Sequence, residues 1–142
     1  MDASEYLHKV VAARKRAEGL EFQHKRLEQA ANNVPGGTFD EPRTTRNSSG
    51  QAPFVRFIDR ILEAEKLAKD AKAEYDSLAA EAVELIRRMP TVPYQNLLIM
   101  RYIDGDTWDD IGSVLAGGRT SVWRWHNAAL GELDAVLGKV GT

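Results

Sequence analysis

The chain has 142 residues and a mass of 15.8 kDa, enough for one domain or one small domain with an extended appendage. Apolar residues make up 43% and charged residues 28%, the balance of an ordinary soluble fold and not of a disordered chain. A formal charge of −2 gives no general attraction for nucleic acid, and with no cysteine neither disulfides nor thiolate metal sites can form.

The start, Met1-Asp2-Ala3-Ser4-Glu5-Tyr6, lacks a basic stretch followed by an apolar one, so no secretory signal is expected. No apolar run approaches the roughly 20 residues of a membrane span. Together with the absence of cysteine, this points to a cytoplasmic protein without a membrane partner.

Residues from about 3 to 33 read as one long helix without an internal proline. Tyr6, Val10, Ala13, Ala17, Leu20, His24, Leu27 and Ala31 recur at alternating spacings of four and three, the seam of a helical hairpin or coiled coil. Val34-Pro35-Gly36-Gly37 ends it. Residues 34 to 53 then shift to Gly, Thr, Ser, Asn, Pro and Arg, which predicts a flexible linker.

A second long helix is predicted over 54–89. Phe54, Ile58, Ile61 and Leu62 form a first apolar stripe, and Ala71, Tyr75, Leu78, Ala82, Leu85, Ile86 and Met89 form a second. Each long helix needs a partner surface, within the chain or on a second copy, so a homodimer through the long helices is expected. Pro90 and Pro93 reset the direction, and Pro93 suits the first turn of the next helix.

From Pro90 onward the pattern is of three shorter helices. Asp104-Gly105-Asp106 makes a turn, and Thr107 is a good N-cap for a helix starting at Trp108, with Asp109 and Asp110 at its positive end. Ala116-Gly117-Gly118 makes the next turn, before a final helix over about 119–137. Ile111, Leu115 and Val122 fall where two helices crossing at a glycine turn place their shared contacts, and Gly112 permits close approach. On the last helix Val122, Trp125, Ala129, Leu130 and Leu133 face inward. Arg119, at its start, Thr120, Ser121, Trp123, Arg124 and Asn127 are then the candidate DNA-binding residues, able to reach phosphates and base edges.

Leu97-Leu98-Ile99-Met100-Arg101-Tyr102-Ile103-Asp104-Gly105, then Thr107-Trp108-Asp109-Asp110-Ile111, then Val122 through Leu130, resembles region four of bacterial sigma factors. More narrowly, it is similar to the phage-encoded sigma-region-four-like regulators of the ArpU and RinA type. The resemblance covers about residues 89 to 133 and is only architectural before that. It implies a helix-turn-helix unit over 90–142, binding to promoter DNA, and control of phage late or packaging genes; with few basic residues to meet phosphates, useful affinity would need dimerisation, basic residues elsewhere, or RNA polymerase as a co-partner. In that pattern the turn carries a glycine, an apolar residue and a serine or threonine cap. Here those places hold Ala116, Gly117 and Gly118, leaving Thr120 or Ser121 to cap the helix slightly later.

Charge runs against this reading. From Pro90 to the end, four basic residues (Arg101, Arg119, Arg124, Lys139) face six acidic ones (Asp104, Asp106, Asp109, Asp110, Glu132, Asp134). Further basic residues lie at Arg14-Lys15-Arg16, Lys25-Arg26, Arg43 and Arg46; for the first two groups, solvated helix surface is the plainer reading. His8, His24 and His126 lack metal-ligand spacing, and a structural hydrogen bond suits His126. The Asp104–Asp110 cluster fails as a calcium loop, because Asp109 and Leu115 stand where glycine and glutamate are needed. No catalytic signature is present, so the expectation is a non-enzymatic, all-α, DNA-binding transcription regulator without cofactor or metal. The alternatives are a ring-forming phage small terminase subunit and a helical interaction protein that binds no DNA.

Overall fold

The structure, a computed structural model, describes residues 1–33 and 53–140. Among them every regular element is helical: α1 (Ala3–Asn33), α2 (Pro53–Ile86), α3 (Val92–Leu98), a π-helical turn (Ile99–Ile103), α4 (Trp108–Leu115) and α5 (Arg119–Val140). No helix among these residues is long and apolar enough to cross a membrane. The linker expected over 34–53 lies outside the described residues except for Pro53, where α2 begins.

The chain divides into two compact units, Met1–Arg14 with Glu74–Thr142, and Lys15–Ala73. In the larger unit, the start of α1 is fixed twice. Asp2 Oδ1 accepts the Glu5 N–H at 2.8 Å as a local cap, and Asp134 Oδ1 of α5 accepts the Ala3 N–H at 2.6 Å. The core then collects Leu7 and Val10 from α1, Ile86 from α2, Leu97 and Leu98 from α3, Ile111 from α4 and Leu133 from α5, all fully buried. Tyr6 reaches from this core to Glu81, its hydroxyl donating at 2.8 Å.

Helix α2 stops at Ile86, three residues before the expected end. Pro90 disfavours helical backbone at Met89, and the last bonds tighten instead, Arg88 N–H to Leu85 C=O at 3.1 Å and Met89 N–H to Ile86 C=O at 2.9 Å. Thr91 precedes α3 without bonding that helix through its own side chain. Its hydroxyl and N–H go to Glu132 of α5, at 2.6 and 3.3 Å. Two carboxylates of α5 therefore fix the starts of two other helices.

Among the described residues of the smaller unit the buried positions are small: Ala17, Ala68 and Ala71. His24 is half-buried, with Nε2 3.7 Å from Glu28 and 3.8 Å from Glu65. Lys69 pairs with Glu65 at 2.9 Å, which holds that carboxyl below its usual range. The first stripe expected on α2 is only partly turned inward: Ile58 and Ile61 are half-buried, whereas Phe54 and Leu62 are exposed.

Truncation of the fully buried Leu133 to alanine should cost about 2–5 kcal/mol in urea denaturation. Glu132→Ala should cost about 1–3 kcal/mol, since it strands the partly buried Thr91 donors.

Candidate nucleic-acid interface

The C-terminal elements follow from local chemistry. Pro93 lies in the first turn of α3, where its missing N–H is harmless. The π turn then inserts a wider loop of backbone, closed by Asp104 N–H to Ile99 C=O at 2.9 Å. Its end is held from two sides. Arg14 of α1 donates to the Tyr102 carbonyl at 3.1 Å, and the Tyr75 hydroxyl of α2 donates to the Ile103 carbonyl at 2.8 Å. Gly105 follows at φ +80°, a conformation that favours glycine, with the Arg14 guanidinium packed against it. Arg14 is thus an anchor of this turn, not the solvated surface residue expected for it.

Thr107 caps α4 as anticipated, its side chain accepting the Asp110 N–H at 3.1 Å. Helix α4 ends at Ala116, which takes the left-handed conformation at φ 58°. Glycine usually fills such a site; here it stands one residue later, and another interaction claims it. A Cβ on Gly117 would lie 2.5 Å from two ring carbons of Trp125, so the indole occupies the space where the resembled pattern places an apolar turn residue. Gly112 brings the two helices together, since a Cβ there would lie 2.8 Å from the Gly117 carbonyl and 3.6 Å from Val122. The first bond of α5 runs from Val122 N–H to Gly118 C=O at 2.9 Å, so Gly118 is its N-cap and the helix starts at Arg119 without a shift toward Thr120 or Ser121.

Each candidate on α5 then has a definite place. Val122, His126, Ala129, Leu133 and Val136 are buried and Trp125 is half-buried. Arg119, Thr120, Trp123, Arg124 and Asn127 are exposed, and Ser121 is half-buried. Trp123 is 63% exposed, which rules out its packing into the core. Arg119 and Trp123 also line an open hollow of about 1000 Å³ with Arg101, Thr107, Trp108, Asp109 and Ser113; Thr120, Ser121, Arg124 and Asn127 do not.

Arg101 and Trp108 are the functional candidates that sequence reasoning missed. The Arg101 guanidinium lies 4.3 Å over the Trp108 ring centroid and donates to the Asp106 carbonyl at 3.1 Å. These contacts pre-order a cation at the rim of the hollow. The available signal was an arginine seven residues before a tryptophan, too common a spacing to stand out. Elsewhere, Lys25 sits 3.9 Å from Glu21 and Arg26 lies over the Phe22 ring. Arg43 and Arg46 lie outside the described residues.

Beneath Arg101 and Trp108 lies His126. Its Nε2 is 2.7 Å from the Tyr102 hydroxyl, and its ring meets Trp108 edge-on at 4.8 Å between centroids. Burial, then the charge of Arg101, then His8, hold the imidazole pKa below its ordinary 6.5. The folded state therefore binds the proton less readily than the unfolded chain. Its stabilising contribution is fully present above about pH 6.5 and is lost as pH falls toward the depressed folded pKa.

No family model, no curated protein and no solved structure matches this chain.

The glycine turn makes two opposite predictions. Gly112→Ala should destabilise by at least about 1–3 kcal/mol, because a backbone carbonyl would have to move. Ala116→Gly should stabilise by up to about 1 kcal/mol by relieving the left-handed strain. Thermal denaturation of both variants checks the signs.

Proposed function

We propose that the chain is a sequence-specific, double-stranded-DNA-binding regulator in which α4 and α5 act as a helix-turn-helix. The N-terminal turns of α5 would enter the major groove, as the resemblance to sigma-region-four-like phage regulators implies. The observation that carries this reading is the division of one helix into two faces. Val122, His126 and Ala129 are buried, while Thr120, Trp123, Arg124 and Asn127 are left to solvent on the same three turns. The close approach at Gly112 further supports it, since it sets α5 tightly across α4.

Three arginines serve this surface in distinct ways. Arg101, held over Trp108, suits a backbone phosphate, and Arg119 at the start of α5 suits a second beside the free N–H groups of that end. Arg124, exposed one turn on, is placed for a base edge, where a bidentate contact to guanine contributes about 1–3 kcal/mol of discrimination. Two phosphate-contacting cations give a salt slope of only about −1.8 per chain, too few for tight binding by a monomer. Dimerisation through the long helices, or RNA polymerase on the same promoter, would supply the remainder. Nothing in this mechanism requires a cofactor or a reaction, and a cytoplasmic setting follows from the DNA target.

Binding to duplexes selected from a random-sequence pool, measured across a salt series, tests the reading. The Arg119→Ala, Arg124→Ala double variant should lose at least tenfold in affinity, by the estimate of about 1–3 kcal/mol per arginine contact. Its salt slope should be shallower by about 0.9 for each phosphate contact removed. Unchanged binding by the double variant would overturn α5 as the reading helix, and no binding by the wild-type chain would move the function to the interaction-protein alternative.

A further inference from the structure

The buried histidine beneath the candidate surface is joined to it through a stack of side chains. Arg101 lies 4.3 Å over the Trp108 ring, and His126 meets the same ring at 4.8 Å. Trp123, a second wall of the hollow, lies 6.2 Å from His126. His126 also faces Tyr102, with ring centroids 5.9 Å apart.

We propose that DNA binding is linked to uptake of one proton by His126, a phosphate held on Arg101 being felt through the Trp108 ring at the buried imidazole. The inference rests on the DNA-binding reading above and adds its regulation.

The geometry determines the sign. One ring nitrogen, Nε2, shares a hydrogen bond with the Tyr102 hydroxyl, while Nδ1 is buried with no hydrogen-bond partner among the described residues. That arrangement suits a neutral ring. The charged and titratable groups facing it are Arg101 and Tyr102 from the π turn, and His8 from α1, whose ring meets Tyr102 at 6.2 Å. Helix α4 presents the uncharged Trp108, and α5 itself presents the uncharged Trp123. With Arg101 the fixed cation of this set, the free protein resists a second positive charge here.

A DNA phosphate on Arg101 removes that resistance. It offsets the guanidinium potential and adds negative charge beside the Trp108 ring that His126 contacts. The two contacts, one of the cation over the ring and one edge-on, place the cation within roughly 9 Å of the imidazole, close enough to act through a poorly screened interior. The proton comes from solvent and settles on the imidazole, whose protonated Nε2 then donates to the Tyr102 oxygen. By linkage, whatever eases protonation when DNA is bound must tighten DNA binding when the proton is bound. Affinity should therefore rise as pH falls below the ordinary histidine value of 6.5, by about two- to tenfold.

Titration calorimetry on the full chain, with a duplex selected from a random pool, tests this in two buffers of different ionisation enthalpy. At pH 8 the chain should bind without proton uptake; near pH 6 it should take up as much as one proton per chain. His126→Gln should retain the pH 8 affinity and lose the uptake. Equal pH dependence in wild type and variant would overturn the inference while leaving the DNA-binding reading intact. No binding at pH 8 would overturn that reading and this inference with it. If the variant does not fold, NMR titration of the wild-type His126 ring decides: a midpoint raised by DNA supports the linkage, and an unmoved one overturns it.

Discussion

The larger unit depends on α5 burying one face along most of its length. Val122, His126, Ala129, Leu133 and Val136 follow helical spacing over fifteen residues, about 21 Å of helix axis from first to last. Four other elements of that unit, α1, α3, the π turn and α4, attach to this stripe or to the carboxylates beside it. Asp134 holds the start of α1 and Glu132 the start of α3, while His126 holds Tyr102 and the π turn. Removing any one of these exposes a buried donor or a cavity, which explains why a helix with a modest apolar share can organise four others.

The same constraint changes the meaning of the acidic balance. Counted from Pro90 to the end, six acids against four bases argue against a polyanion partner. In three dimensions Glu132 and Asp134 are occupied as hydrogen-bond acceptors at helix starts, and Asp134 lies ten residues beyond Arg124, about 15 Å along the axis. Asp109 and Asp110 sit in the first turn of α4, where they complement its dipole. Only Asp109 of these four lines the hollow, beside Arg101 and Arg119. Local charge at the proposed interface is therefore less hostile to DNA than the total suggests.

Much of the fold was legible because it obeys local rules. The Thr107 cap, the glycine turn, the extent of α1 and the two faces of α5 all follow from spacing and capping chemistry. The misses share a different cause. The π turn has no local signature in Ile99–Ile103, since a π bulge depends on what the following side chains must reach. Leu7 lies off the expected seam of α1 yet is fully buried, because the first turns of that helix pack in a core that also takes residues from four other helices. Arg14 and Arg101 have the same side chain, but only tertiary placement makes one an anchor and the other a poised cation. Within the candidate site, the α5 residues were readable and the opposite wall of the hollow was not.

The surface proposed to bind DNA is formed by the first turns of α5 with Arg101 opposite. Its most direct test is backbone and indole NMR of the full chain titrated with duplex DNA. The largest shifts should fall on Arg119–Asn127, the Trp108 and Trp123 indoles and Arg101, while the smaller unit from Lys15 to Ala73 stays near its free positions. Shifts confined to Lys15–Ala73, or none on any residue at low salt, would contradict it.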